Sequence, residues 1–433
     1  LTMTFRGSPQ QGLLGATVAF FIGFAAVSLF APTARKLQDV MGLTPTLVGF
    51  LVAAPSLSGS LLRIPFAAWV DATGGRKPIL VLLAASVLGM GSLTALIFLL
   101  YPDGITLSLY PLLLLLGVLC GCGIAIFSPG TGQVSYWFPQ ARQGRALGTY
   151  AGVGNLAPGL FTLLLPLALA RLGLASSYLA WLLLLVAGMA IYFFAGRNAW
   201  YFQAVSQGAD ANTARALARH QGQELFPARS TRESLLISAR TWKTWLLVAI
   251  YFTTFGGFIA MTAWLPTYWT AFFGVSTVTA GILTAAYSLL ASGVRVAGGS
   301  IADRFGGEAT ARVSLLVMLA GAALMSLSHH PALSFAATLT MALGMGTANA
   351  AVFKLVAQEV PQAVGGASGW VGGLGAFGGF ALPPILGALV RLQGQAGYAT
   401  GFLTYVVIGL ISLACALALS RSRARAAATL AAK

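Results

Sequence analysis

Arg63 and Arg295 each interrupt a long apolar run, and each precedes an aspartate by eight residues, Asp71 and Asp303 respectively. Eight helical residues at about 1.5 Å apiece set an arginine about 12 Å from its aspartate, close to the middle of a bilayer core. A charge at that depth costs at least about 2.5–3.5 kcal/mol on the insertion scale, so each guanidinium must face the protein interior or water. The nine acids are Asp39, Asp71, Asp103, Asp210, Glu224, Glu233, Asp303, Glu308 and Glu359, and all map to predicted loops or span ends. Neither arginine therefore has an intramembrane carboxylate to answer it. A guanidinium is planar and presents parallel donors, a match for flat oxyanions held by two hydrogen bonds at once. Two of them at one depth suit a small flat anion; the plainer alternative is that each caps backbone carbonyls inside a helix bundle.

Such arginines need long apolar helices around them, and the composition supplies these. Of 433 residues, 58% are hydrophobic and 8% charged, against about 25% charged in soluble domains. So few charges cannot cover a soluble globule, and disorder requires low hydrophobicity, so both classes are excluded. Twelve runs approach or exceed the roughly 20 residues that cross a bilayer core: 12–34, 46–70, 78–100, 107–135, 143–170, 174–196, 244–272, 277–302, 313–328, 332–357, 363–390 and 397–420. The first continues as a full span, unlike the short core of a cleavable signal peptide. The expected architecture is an all-α membrane protein of twelve spans. It divides into an N-terminal six-helix half (1–196), a linker (197–243), a C-terminal six-helix half (244–420) and a basic tail (421–433). Within the linker, about 211–221 predicts a surface helix, and the remainder is expected to be a solvated connector beside anionic headgroups.

The formal charge of +16 sorts by topology. With both termini and the linker on one side, that side holds Arg6, Arg76, Lys77, Arg142, Arg145, seven linker residues (among them Arg215, Arg219, Arg229 and Arg232), Arg304, Arg312, Arg421, Arg423, Arg425 and Lys433. The other side holds only Arg35, Lys36, Arg171 and Arg391. This asymmetry places both termini and the linker in the cytoplasm, and it removes the need for a nucleic-acid partner. Lys354, near the cytoplasmic end of span 10, is expected to snorkel to the interface, with a second-site or gating role as the alternative. Asn349 in the same span is carried as a further candidate. Cys120, Cys122 and Cys415 sit in apolar runs as packing residues, and His329-His330 falls in a loop, so no metal site is expected.

The chain also repeats itself. Arg63 to Asp71 followed by Gly74-Gly75 matches Arg295 to Asp303 followed by Gly306-Gly307. The stretch from Pro139 to Gly154 matches that from Pro361 to Gly375, with one residue deleted. Spans two and five thus correspond to spans eight and eleven. An offset of six helices, an even number, makes the repeat parallel about an axis along the membrane normal. That axis would bring Arg63 and Arg295 toward each other. Glycines such as Gly152, Gly154, Gly159, Gly372, Gly373, Gly375, Gly378 and Gly379 permit close helix approach, for static packing or for sliding.

These features together resemble the major facilitator superfamily. The Asp303-Arg304 turn resembles that superfamily's loop motif, whereas Asp71 is followed by alanine. More specifically, Ala151-Gly-Val-Gly-Asn-Leu-Ala-Pro-Gly and Gly372-Gly-Leu-Gly-Ala-Phe-Gly-Gly-Phe-Ala-Leu-Pro resemble the paired signatures of the nitrate/nitrite porter family. Leu61-Leu-Arg-Ile-Pro, Tyr251-Phe-Thr-Thr-Phe-Gly and Phe353-Lys-Leu-Val fit the same family. The resemblance implies that Phe127 and Phe353 sandwich a flat anion. It also implies that Tyr251, Phe255 and Asn155 line the cavity around Arg63 and Arg295. Gly152, Gly154, Gly373, Gly375, Gly378, Asp71, Asp303 and Arg304 would serve packing or gating.

The implied activity is alternating-access transport of nitrate and nitrite, with nitrate/nitrite exchange preferred because no intramembrane carboxylate offers a proton carrier. The alternatives are proton-coupled nitrate symport, exchange of small carboxylates such as formate or oxalate, and an anion receptor without transport. No nucleophile–base set appears, so an enzyme is not expected. The partners expected are the anions and the bilayer of a bacterial-type inner membrane. No cofactor is expected, and the chain is expected to act as a monomer.

Overall fold

In lipid every backbone polar group must be satisfied within the protein, so apolar runs of this length fold as helices. The computed structural model describes residues 3–227, 231–360 and 363–431, together with their side chains except at 140, 141, 143–145, 231, 357 and 425–431. Arg229, Lys433 and the Pro361-Gln362 start of the second repeat lie outside the described residues, as do the side chains of Arg145 and Arg425.

Eleven apolar helical stretches are long enough to span a membrane: Pro9–Met41, Pro45–Thr73, Arg76–Leu100, Leu107–Trp137, Ala146–Ala195, Trp242–Phe273, Thr277–Phe305, Gly307–Leu327, Pro331–Val356, Val364–Gln393 and Ala396–Ala424. The fifth is 50 residues long, about 75 Å of helix against a core of about 30 Å. It breaks at Gly173, whose φ of 74° and ψ of 178° suit only glycine. Two spans, 146–172 and 174–195, result, and the total is the expected twelve.

The ninth span differs from its expected bounds. It runs Gly307–Leu327, because Gly306 at φ 87° reverses the chain within a single residue of span eight. Gly74 does the same between spans two and three.

Several spans are not regular helices, and span eleven, broken at Phe377, is one of them. Span two is interrupted at Leu62, immediately before Arg63. Span four tightens into a 3₁₀ segment, Gly121–Ile126, directly before Phe127. Span seven widens into a π-turn, Phe252–Gly256, between Tyr251 and the helix that follows. Span one relaxes at Ala25–Ser28. Such departures in lipid-embedded helices are tolerated where the backbone is buried in protein, and π-turns concentrate at functional sites.

The two six-helix halves meet along two seams, span two with span eleven and span five with span eight. Both seams are tight at the end away from Asp71 and Asp303. A methyl added to Gly49 would come within 2.4 Å of the Pro383 carbonyl oxygen, and one on Gly281 within 2.7 Å of the Thr162 carbonyl oxygen. Toward the Asp71/Asp303 end the second seam loosens. Gly152 leaves 3.6 Å to Val296, and Gly148 and Gly299 face open space. The seam between spans five and eight is closed at one end and open at the other.

The linker carries the helix expected at about 211–221, as Ala211–His220, and its remainder is folded where a solvated connector was expected. Helices Trp200–Ser206 and Ala211–His220 bury Tyr201, Phe202, Ala214 and Ala218 against Trp137 of span four. Asp210 caps the second helix, accepting from the backbone N–H groups of Asn212 (2.9 Å) and Thr213 (3.1 Å) and from the Thr213 hydroxyl, which holds its carboxyl below the ordinary range. A third helix, Thr231–Arg240, lies on span eleven, where Trp370 Nε1 donates to the Leu235 carbonyl at 3.0 Å.

Candidate functional site

The helix breaks deliver their side chains to one place between the halves. Arg63 is fully buried. Its Nε donates to the Gly59 carbonyl (3.0 Å) and its Nη1 crosses to the Gly372 carbonyl of span eleven (3.1 Å). Its Nη2 is buried without a partner among the described residues. Arg295 is half-buried; its Nη2 donates to the Tyr251 hydroxyl at 3.3 Å, and its Nη1 has no partner among the described residues. Both guanidiniums lie against the same two rings. Arg63 is 5.0 Å from the Phe127 centroid and 5.2 Å from Phe255, and Arg295 is 6.0 and 5.3 Å from them. The cation–π attraction partly offsets the cost of two buried charges.

Across the halves Phe127 meets Phe255, with centroids 6.4 Å apart and planes at 35°, while Phe20 and Tyr150 flank it within its own half. Phe353 stands elsewhere: it meets Tyr251 edge-on at 5.2 Å, and Tyr251 in turn stacks on Phe255 at 4.8 Å. Phe353 thus reaches the cluster through Tyr251. Beside Arg295 is a cavity of about 10 Å³, room for a single water-sized sphere, lined by Asn155, Phe255, Phe258, Ser292, Arg295 and Asn349. Among the described residues the Asn155 side chain has neither its oxygen nor its nitrogen paired, and Asn349 Oδ1 is also unpaired. Leaving buried polar atoms unsatisfied costs about 1–3 kcal/mol apiece. Asn155 Nδ2 and Arg295 Nη1 offer free donors at this cavity, Arg63 Nη2 offers a third across the shared rings, and the two amide oxygens are free acceptors.

Glycines set the close packing behind these groups. Gly375 lies under the Tyr251 ring (2.6 Å from an added methyl) and Gly378 against the Phe252 carbonyl (2.5 Å), so span eleven can lie directly on the π-turn. Gly154 sits beneath Phe20, and Gly373 against Ile64. Gly152 differs from its neighbours, since a methyl there would make only ordinary contact.

Lys354 is not at this cluster, and it does not simply snorkel. Its Nζ donates to the Ala302 carbonyl (2.7 Å) and pairs with Asp303 Oδ1 (2.8 Å), tying span ten to the end of span eight. Asp71 instead accepts from the Tyr136 hydroxyl at 2.5 Å. Arg304 is exposed and lies over the neighbouring Phe305 ring at 5.3 Å.

Two contributors escaped the sequence reading. The Tyr150 hydroxyl donates to the carbonyls of Ile126 (2.9 Å) and Phe127 (3.1 Å), and so holds the break that aims Phe127. Its position as the one aromatic in the run from Gly148 to Gly154 was the available signal. Ser292 Oγ donates to the Asn155 carbonyl at 2.9 Å, joining spans eight and five; nothing in its surroundings in the sequence marks it.

The model for the Major Facilitator Superfamily matches residues 16–383. The chain is 26% identical to the probable nitrate transporter NarT of Staphylococcus epidermidis, over 92% of this chain and 94% of that protein. It is 30% identical to the probable nitrate/nitrite transporter NarK2 of Mycobacterium tuberculosis, over 94% and 95% respectively. Among solved structures, the xylose transporter XylE from E. coli, in a partially occluded inward open conformation, superposes with a TM-score of 0.73 at 14% identity, covering 95% of this chain and 97% of that one. A bacterial homolog of the human lysosomal transporter Spinster, inward-facing and occupied, gives 0.66 at 16% identity, covering 96% and 98%. These two likenesses concern the fold.

Proposed function

This chain belongs to the major facilitator superfamily, and from that premise we propose that it moves nitrate and nitrite across a bacterial cell membrane by alternating access. The observation that carries the reading is the pair of unpartnered guanidinium donors, Arg63 Nη2 and Arg295 Nη1, presented from opposite halves against the same two rings. The names of the relatives agree with it. The excess of basic residues beside Asp71 and Asp303 makes that end cytoplasmic. The open end of the seam between spans five and eight then faces inward, with the termini and linker on the same side and the chain acting as a monomer.

The cycle follows from electrostatics. An anion between the arginines offsets their mutual repulsion and lets the halves close; an empty site holds two like charges in a medium of low dielectric, which disfavours closure. Exchange is therefore faster than empty return, and nitrate moving one way against nitrite moving the other is the preferred mode.

Counterflow in liposomes tests this reading. Nitrate uptake should require nitrite or nitrate inside. Uptake driven by a pH gradient into vesicles free of both would replace exchange by proton symport. Formate or oxalate displacing nitrate and being carried in its stead would make the protein a carboxylate exchanger. Saturable binding without flux would make it a receptor.

A further inference from the structure

One face of span eight carries polar groups that the central site does not use. Thr284, Ser288 and Ser292 recur at intervals of four residues, ending three residues before Arg295, and so share a side of the helix. That side lies on span five of the other half. Ser292 Oγ donates to the Asn155 carbonyl, a methyl on Gly159 would meet the Ser288 Cβ at 3.1 Å, and one on Gly281 would meet the Thr162 carbonyl oxygen. The three side chains are 0%, 0% and 4% exposed, and the hydroxyls of Thr284 and Ser288 have no hydrogen-bond partner among the described residues. The other seam repeats the arrangement. Ser56 Oγ on span two is 2% exposed and unpaired, and it lies 3.2 Å from a methyl added to Gly379 of span eleven.

Unpaired hydroxyls inside a sealed contact oppose the sealing, because each has given up water without a replacement. They are explained if the contact is temporary. From Arg295 to Thr284 is about 16 Å along the helix, enough to reach from mid-membrane to the headgroup region.

We propose that Thr284, Ser288 and Ser292 line the route by which the anion passes between the central site and the face away from Asp71 and Asp303, wetted when the seam between spans five and eight parts. This rests on the transport reading above. A hydroxyl donor every turn hydrates a small oxyanion without binding it as the arginines do. The sealed state holds these hydroxyls dry.

The test uses the full chain with Cys120, Cys122 and Cys415 replaced, reconstituted in liposomes, carrying in turn Thr284→Cys, Ser288→Cys or Ala322→Cys. Ala322 is fully buried within the C-terminal half, so opening of the seam leaves it covered. A membrane-impermeant, negatively charged methanethiosulfonate is applied to the side away from Asp71 and Asp303. Modification of Thr284→Cys and Ser288→Cys at least tenfold faster than Ala322→Cys, with loss of nitrate exchange on modification, is expected. Equal rates at all three positions in vesicles that exchange nitrate would overturn the route. Absence of nitrate exchange in the unmodified parent protein would instead overturn the transport reading, with the labelling rates still deciding whether this seam opens.

A second variant guards against cysteine-specific effects. Thr284→Val with Ser288→Ala removes the unpaired hydroxyls and favours the sealed state, so exchange should slow severalfold while nitrate binding stays within twofold. Unchanged exchange in that variant would count against the route as well.

Discussion

Arg63 and Arg295 hold equivalent places in the repeat, yet the two halves treat them differently. Arg63 is fully buried and has spent two of its donor groups on carbonyls, one in its own helix and one in span eleven. Arg295 is half-buried and leans on a single tyrosine hydroxyl at 3.3 Å. One guanidinium is pinned to two carbonyls, and the other is held by a single hydroxyl. A pseudo-symmetric pair therefore need not be a functionally symmetric one. In the proposed cycle, pre-organisation on one side would lower the entropic cost of capture, and a looser partner would follow the halves as they rock.

Lysine substitution is the strongest way to break this comparison. Lysine keeps the charge and gives up the planar fork. Arg63→Lys and Arg295→Lys should each reduce nitrate exchange in liposomes by a hundredfold or more. The two should part in stability. Arg63→Lys also forfeits buried bonds to Gly59 and Gly372, so its unfolding temperature should fall well below that of Arg295→Lys. Normal exchange in either variant would remove that arginine from the site, and equal unfolding temperatures would erase the proposed asymmetry.

The arginines were legible because charge inside an apolar run and a spaced repeat are properties of the chain in one dimension. The twelve spans were legible for the same reason, with only the ninth placed too late because Gly306 turns the chain so abruptly. Phe127, Phe255 and Tyr251 were reached by resemblance, since an aromatic in an apolar span carries no mark of its own. The helix breaks at Leu62, Gly121–Ile126 and Phe252–Gly256 were not legible. They depend on fits such as Gly375 under Tyr251, between residues over a hundred positions apart. The helix at about 211–221 was legible in the linker, but its docking was not. Ala214 and Ala218 resemble any linker alanines until Trp137 is set against them. The Lys354–Asp303 pair joins residues 51 positions apart.

A smaller effect is expected from the groups that steady each side. Tyr150→Phe releases the carbonyls of Ile126 and Phe127, and so loosens the ring that lies against Arg63; Tyr251→Phe removes the one hydroxyl that holds Arg295. A hydrogen bond of this kind is worth about 0.5–1.5 kcal/mol, or about 1.5–3 to a charged group. Tyr251→Phe should therefore weaken nitrate binding by roughly tenfold with little change in unfolding temperature. Tyr150→Phe should cost stability as well, because its hydroxyl satisfies two backbone carbonyls of the N-terminal half, where Tyr251 only accepts from Arg295. Titration of binding alongside thermal unfolding separates the two. The opposite assignment, with Tyr251→Phe the destabilised variant, would make the C-terminal arginine the fixed one.

The smallest effect belongs to the rim, where the halves also differ. Asp71 accepts from the Tyr136 hydroxyl, whereas Asp303 pairs with Lys354. The Asp303 side chain is 79% exposed and that of Lys354 26%, so the pair contributes about 0–1 kcal/mol and salt screens it. The second bond of Lys354, to the Ala302 carbonyl in the last turn of span eight, adds a favourable placement of a cation at a helix C-terminus. Lys354→Met should therefore lower the unfolding temperature slightly, by an amount that shrinks as salt rises, and leave nitrate exchange within about twofold. Loss of exchange in a variant of unchanged stability would show that Lys354 handles the anion on its way in. The contrast between a working centre and a structural rim would then fail at the one rim lysine that faces span eight.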